Sequence, residues 1–213
     1  MKKQVAVFAS GSGSNAENII RHFRHSPQAE VSLLVCNKPD APVLQRVQPF
    51  DIPSLIVSPA ELRDPGIILP ALQNRKIDFI VLAGFLLHIP PCLIEAYPRA
   101  IVNIHPALLP KFGGKGMYGP HIHRAVLEAG ETQSGITIHY INEQFDEGEH
   151  IAQYTCPVLP GDTPDALARR IHQLEHRYYP AVIEQLLRQS GQPIPKPNSR
   201  STASSAGRTP ESV

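Results

Sequence analysis

The 213-residue chain has no tryptophan and only three cysteines, Cys36, Cys92 and Cys156. With an odd count and wide spacing, they cannot make a redox pair, a cysteine-based metal cluster or a disulfide framework. Each thiol reads as a small buried hydrophobe in a reducing compartment. An excess of charge of one sign is also lacking. Twenty basic and 19 acidic side chains leave a formal net charge of +1, which offers no footprint for nucleic acid or an anionic membrane. No apolar run is long enough to span a bilayer. The run Val5 to Ala9 behind Met1-Lys2-Lys3 is too short for a signal-peptide core. The expectation is a cytoplasmic protein.

What is present is 42% hydrophobic content, enough at this length for one sizeable α/β core. Val5 to Ala9 is continuous, apolar and β-branched, the pattern of a strand buried on both faces. A glycine-rich turn follows, then a helix from about Asn15 to His25. Strands are expected at Val31 to Cys36, Ser54 to Val57, Phe79 to Ala83 and Ile101 to Ile104. Helices are expected at Val43 to Phe50, Ile67 to Asn74 and Pro90 to Tyr97. Such alternation predicts a mostly parallel twisted sheet with helices on both faces.

The pattern changes after residue 110. Lys111 to Gly119 holds four glycines in nine residues and reads as a loop. A helix at His121 to Ala129 follows. Gly135 to Tyr140 and Ile151 to Val158 read as hairpin-related strands around Phe145-Asp146-Glu147-Gly148. Thr163 to Leu187 is a long final helix, with Thr163 as N-cap and Pro164 in its first turn. Residues 1–189 are expected to form one domain. Residues 190–213 are rich in proline and serine and poor in large apolar side chains, the composition of a disordered tail.

Two places carry chemistry. Gly11-Ser12-Gly13-Ser14-Asn15 follows the first strand and opens the first helix. Glycines permit close backbone approach, and a helix N-terminus offers free N–H groups and partial positive charge, so a phosphate is the natural guest. The loop also fits the dinucleotide fingerprint. That reading expects an acid at the end of the second strand, whereas Val35-Cys36-Asn37-Lys38 offers none before Asp40; a 2′-phosphorylated dinucleotide stays open. The plain alternative is that Gly11 and Gly13 only turn the chain, with Ser14 or Asn15 capping the helix.

The second place is Val102-Asn103-Ile104-His105-Pro106. Asn103 and His105 share one face of a strand, and the proline stops that strand at once. An amide donor beside a proton-carrying imidazole suits a carbonyl that becomes an oxyanion. Among ten histidines, a lone one is more often structural. Asp146 supplies a partner, because a carboxylate within reach of an imidazole stabilises positive charge on it. Its plain reading is a turn aspartate before glycine. Thr137 and His139 lie on one face of the strand before Asp146 and read as supporting residues. No metal-ligand spacing is present.

Asn103-Ile104-His105-Pro106-Ala107-Leu108-Leu109-Pro110 resembles the N-I-H-P-S-L-L-P signature of the folate-dependent formyltransferases, and Phe145-Asp146-Glu147-Gly148 resembles their L-D-x-G acid. The glycine loop, Asn37-Lys38-Pro39-Asp40, Ala83-Gly84-Phe85-Leu86 and Gln173-Leu174-Glu175-His176 resemble, in order, segments of the branch that acts on glycinamide ribonucleotide. The resemblance spans residues 4 to about 187. It departs at Ser12 (usually Asn), at Ala107 (usually Ser), at Leu87-His88 and in a longer loop over Phe112 to Pro120.

The resemblance implies a Rossmann-like α/β fold and transfer of a formyl group from 10-formyltetrahydrofolate, as co-substrate, to the amine of 5′-phosphoribosylglycinamide, without a metal. It implies catalytic roles for Asn103, His105 and Asp146. Gly11, Ser12, Gly13, Ser14, Asn15 and Glu175 are then expected at the acceptor's phosphate and ribose. Phe85, Leu86, Leu87, Ile89, Asn103, Ile141, Asn142, Glu143 and Phe145 are expected at the folate. Partners are small molecules, with the chain a monomer or a homodimer.

Alternatives are another folate-dependent formyltransferase, a formyltetrahydrofolate hydrolase and a non-catalytic nucleotide-binding module. Near-neutral charge and a start directly on the first strand lead away from the tRNA-acting and hydrolase branches.

Overall fold

The computed structural model describes residues 2–189; the expected tail, 190–213, lies outside them. The chain runs β1 (Lys3–Phe8), α1 (Ser14–Phe23), β2 (Ala29–Cys36), α2 (Pro42–Val47), a 3₁₀ turn (Gln48–Phe50), β3 (Ser54–Ile56), α3 (Pro59–Arg63), α4 (Pro65–Gln73), β4 (Ile77–Leu82) and α5 (Pro91–Ala96). It continues through β5 (Ile101–His105), α6 (Pro120–Glu128), β6 (Gln133–Tyr140), β7 (His150–Pro157) and α7 (Pro164–Gln189).

All seven strands form one sheet in the order β3-β2-β1-β4-β5-β6-β7. The pairings from β3 to β5 are parallel, and β6 and β7 close the sheet antiparallel. Alternate residues of the central strands feed two cores. Val5, Val7 and Ala9 join the layer under α1, α2, α6 and α7. Ala6 and Phe8 join the layer with Leu62, Ile68, Leu72 and Leu93 of α3, α4 and α5. Burial on both faces is why β1 is an unbroken apolar run rather than an alternating one.

The sequence reading missed α3. Its start is a capping box: Ser58 Oγ accepts from Glu61 N–H at 3.2 Å, and the Glu61 carboxylate accepts from Ser58 N–H at 2.7 Å. The S-x-x-E spacing was there to be read. Thr163 caps α7 as expected, accepting from Ala166 N–H at 3.2 Å.

From β1 the chain builds outward through β2 to β3, then returns to place β4 on the other side of β1. The reversal opens a crevice at the C-terminal ends of β1 and β4, where open α/β sheets take ligands. The buried Tyr179 hydroxyl of α7 lies 2.9 Å from the Leu82 carbonyl, at the end of β4, and 3.2 Å from that of Val102 in β5, bridging the two strands. No helix among the described residues is long and apolar enough to cross a membrane.

Candidate active site

A cavity of about 720 Å³ occupies this crevice. At one end lies the glycine loop. Gly13, with φ +78°, is the N-cap of α1, and no side chain caps the helix. Neither Ser14 nor Asn15 takes that capping role, so the first N–H groups of α1 have no side-chain cap. The loop's carbonyls are drawn toward α2 instead: Val43 N–H donates to the Gly11 carbonyl at 3.1 Å and Arg46 Nε to the Ser12 carbonyl at 2.8 Å. A Cβ on Gly13 would clash with Val43, so glycine here serves both its φ and the approach of α2.

At the other end β5 and β6 present four polar side chains on one face. Asn103 pairs across the strands with His139, and His105 with Thr137. Thr137 is internal support: its hydroxyl donates to the Ala107 carbonyl at 2.7 Å and accepts from Leu109 N–H at 3.0 Å. His139, fully buried and behind the cavity wall, holds Asn103. Its Nδ1 faces the Tyr140 carbonyl at 2.9 Å and its Nε2 faces Asn103 Nδ2 at 3.1 Å. A carbonyl can only accept, so Nδ1 carries the proton and Nε2 of the neutral ring accepts from Asn103. Burial pushes His139 below the usual imidazole range, consistent with that neutral form.

His105 is 3% exposed, and its Nε2 donates to the Phe112 carbonyl at 2.8 Å. Its other nitrogen, Nδ1, faces Asp146 Oδ2 at 3.5 Å, while Asp146 Oδ1 lies 3.6 Å from His139 Nε2. These are ion-pair separations rather than short hydrogen bonds. Asp146 reaches inward from a left-handed backbone, φ +58°, and accepts from Gly114 N–H at 2.9 Å. Gly148 keeps this turn tight, because a Cβ there would collide with the Tyr140 carbonyl. The glycine-rich loop thus holds both partners, Phe112 through His105 and Gly114 through Asp146. The sequence marks that loop only as glycine-rich, longer than in the family it resembles and suggestive of an altered substrate entrance.

Between the two ends stands Glu175, 4% exposed. Its Oε2 accepts from Asn15 Nδ2 at 2.9 Å and meets His172 Nδ1 at 2.8 Å. That contact raises the His172 pKa above the usual imidazole range. Asn15 therefore spends its side-chain donor on Glu175.

Along the other side Phe85, Leu86, Leu87, Ile89, Ile141, Asn142 and Phe145 line the cavity. Leu86 and Phe145 are 48% and 42% exposed, unusual for large apolar groups beside a cavity and suited to a flat apolar guest. Phe85 packs edge-on against Phe8 at 5.2 Å, and His88 against Phe145 at 4.5 Å. Glu143 alone of the expected residues is off the wall; its carbonyl accepts from His88 Nε2 at 3.0 Å. The structure brings all the others into one cavity, including the widely separated Asn103, His105 and Asp146. Among the described residues, no group of three or more His, Cys, Asp or Glu side chains is placed to hold a metal.

Residues 3–183 match the family model described as Formyl transferase. The chain is 42% identical over 188 residues to the chloroplastic phosphoribosylglycinamide formyltransferase of Arabidopsis thaliana, covering 85% of this chain and 64% of that protein. It thus spans less than two thirds of that relative. It is 40% identical over 190 residues to the phosphoribosylglycinamide formyltransferase of Bacillus subtilis, covering 87% of this chain and 95% of that one. The crystal structure of glycinamide ribonucleotide transformylase 1 from Geobacillus kaustophilus superposes with a TM-score of 0.79 at 42% identity, covering 88% of this chain and all of that one. The plant relative is named chloroplastic and the bacterial one is not. Matched over most of its length in sequence and in fold, the chain belongs to the formyl transferase family.

Proposed function

We propose that the protein transfers the formyl group of 10-formyltetrahydrofolate to the primary amine of 5′-phosphoribosylglycinamide, a step of purine synthesis. The observation that carries this reading is the meeting of Asn103, His105 and Asp146 in the cavity that also holds the open N-terminus of α1.

The acceptor's phosphate sits on the N–H groups at Gly11 to Asn15, with Ser12 contributing its backbone and Ser14 its hydroxyl. Glu175 faces the ribose or glycinamide portion. The folate lies against Phe85, Leu86, Leu87 and Ile89, with its pterin edge met by the Ile141 to Phe145 segment. The acceptor amine attacks the formyl carbon, and the carbonyl oxygen takes up negative charge. Asn103 donates its second amide N–H to that oxygen, the first being held by His139.

His105 supplies the proton path. Phe112 holds Nε2, which leaves Nδ1, beside Asp146, as the ring nitrogen able to take a proton and pass it on. One proton leaves the amine, through water at Asp146, and one reaches N10 of the departing tetrahydrofolate. Asp146 stands between the two rings, its Oδ2 3.5 Å from His105 Nδ1 and its Oδ1 3.6 Å from His139 Nε2. Oxyanion donors of this kind contribute about 100- to 1,000-fold in rate and general acid–base help about 100- to 10,000-fold.

Purified protein, mixed with both substrates, is expected to give formylated acceptor and tetrahydrofolate in equal amounts. Tetrahydrofolate release at the same rate without glycinamide ribonucleotide would make the chain a hydrolase; folate binding without turnover would make it a binding module.

A further inference from the structure

His123 stands on α6, which follows directly on the glycine-rich loop. It is 4% exposed and lines the cavity. Its Nδ1 is buried without a partner, and neither ring nitrogen takes part in a hydrogen bond among the described residues. Buried imidazoles otherwise find partners, as His105 and His139 do here. The charged or titratable groups that act on it are His172 and Glu175 from α7 and His105 from β5. It shares the cavity wall with the Gly11 to Asn15 loop and with Asn103 and His105. Burial first, then His172, lowers its pKa below the usual imidazole range, so the ring is neutral and offers one donor and one acceptor. A second polar atom is orphaned on a residue lining the same cavity: Asn15 Oδ1 is buried and unpartnered while the same amide's nitrogen holds Glu175.

We propose that His123 is a further substrate-binding residue, hydrogen-bonding the acceptor between its phosphate and its reacting amine, at a sugar hydroxyl or the glycinamide amide. This rests on the function proposed above. An imidazole kept for stability has its nitrogens bonded; one kept for a ligand is left open in the ligand's absence and weakens the fold. The two roles thus predict opposite signs when the polar atoms are removed.

The test uses His123→Leu, close in volume and without polar atoms, and His123→Gln, which restores a donor and an acceptor. The expected result for His123→Leu is a KM for glycinamide ribonucleotide raised about tenfold, a KM for 10-formyltetrahydrofolate within about twofold, and a Tm unchanged or raised by about 2–4 °C. His123→Gln recovers part of the acceptor KM. An unchanged acceptor KM in His123→Leu overturns the proposal. A lowered Tm, with both KM values rising together, overturns it too and gives His123 a structural role.

Failure of the underlying reading looks different: wild-type protein then fails to formylate glycinamide ribonucleotide at all. The contact is still read, by the thermal shift that ribose 5-phosphate, phosphate and sugar without the amine, produces in wild type and in His123→Leu. A smaller shift in the variant supports the contact, and there places it on the sugar; equal shifts remove it from the sugar and overturn it in that case.

Discussion

Asn103 and His139 face each other across β5 and β6, with the amide nitrogen of the first 3.1 Å from Nε2 of the second. The Tyr140 carbonyl fixes the proton on Nδ1 of His139, so the Asn103 amide has its nitrogen turned inward and one N–H left for a substrate oxygen. Asn103→Ala is expected to lower kcat about 100- to 1,000-fold with little change in either KM. His139→Leu leaves the amide present but free to rotate, and a kcat loss of about tenfold is expected. Steady-state kinetics with both substrates varied checks both.

Asp146→Asn keeps an oxygen for Gly114 N–H but removes the charge beside His105. Turnover is expected to fall about 100-fold or more with the melting temperature nearly unchanged. Full turnover in the folded variant removes Asp146 from the mechanism.

Gly13→Ala forces a Cβ into Val43 at a residue with φ +78°. A loss of about 1–3 kcal/mol in stability is expected from the backbone alone. The acceptor KM rises because the loop can no longer present its N–H groups, whereas the folate KM does not. Chemical denaturation and the two KM values measure these separately.

Two histidines give stability opposite pH slopes. The contact with Glu175 raises His172 above 6.5, so its stabilisation is full below 6.5 and lost as pH rises through the raised value. Burial lowers His139 below 6.5; its contribution is full above 6.5 and lost as pH falls through the lowered value. Relative to wild type, His172→Gln is expected to lose less stability on going from pH 6.5 to 8, and His139→Gln less on going from 6.5 to 5. Denaturation midpoints at the three pH values decide both.

Much of this architecture was legible because it follows from local pattern. The continuous run at β1, the glycine turn into α1 and the proline that ends β5 each have one plain physical reading. Helix α3 was legible too, in Ser58 and Glu61, but is short enough for its capping box to be passed over. Asp146 could be named as a candidate partner of His105 from residue type alone, and the resemblance gave residues 103, 105 and 146 their roles; that they meet rests on strand order and loop closure, which are long-range facts.

The supporting contacts were out of reach. That Phe112 would spend its carbonyl on His105, and Gly114 its N–H on Asp146, depends on a backbone path no propensity specifies. The hairpin register that sets His139 against Asn103 was half visible in the alternation of Thr137 and His139. The lack of partners around His123 is a property of packing, and nothing in the sequence marks it.

The most direct measurement is a crystal structure with glycinamide ribonucleotide and a non-transferring 10-formyl folate analogue bound. The expected result has the phosphate on the N–H groups from Gly11 to Asn15, the formyl oxygen about 3 Å from Asn103 Nδ2, and Asp146 still against His105. A formyl group turned away from Asn103, or a phosphate bound elsewhere than at the start of α1, would contradict it.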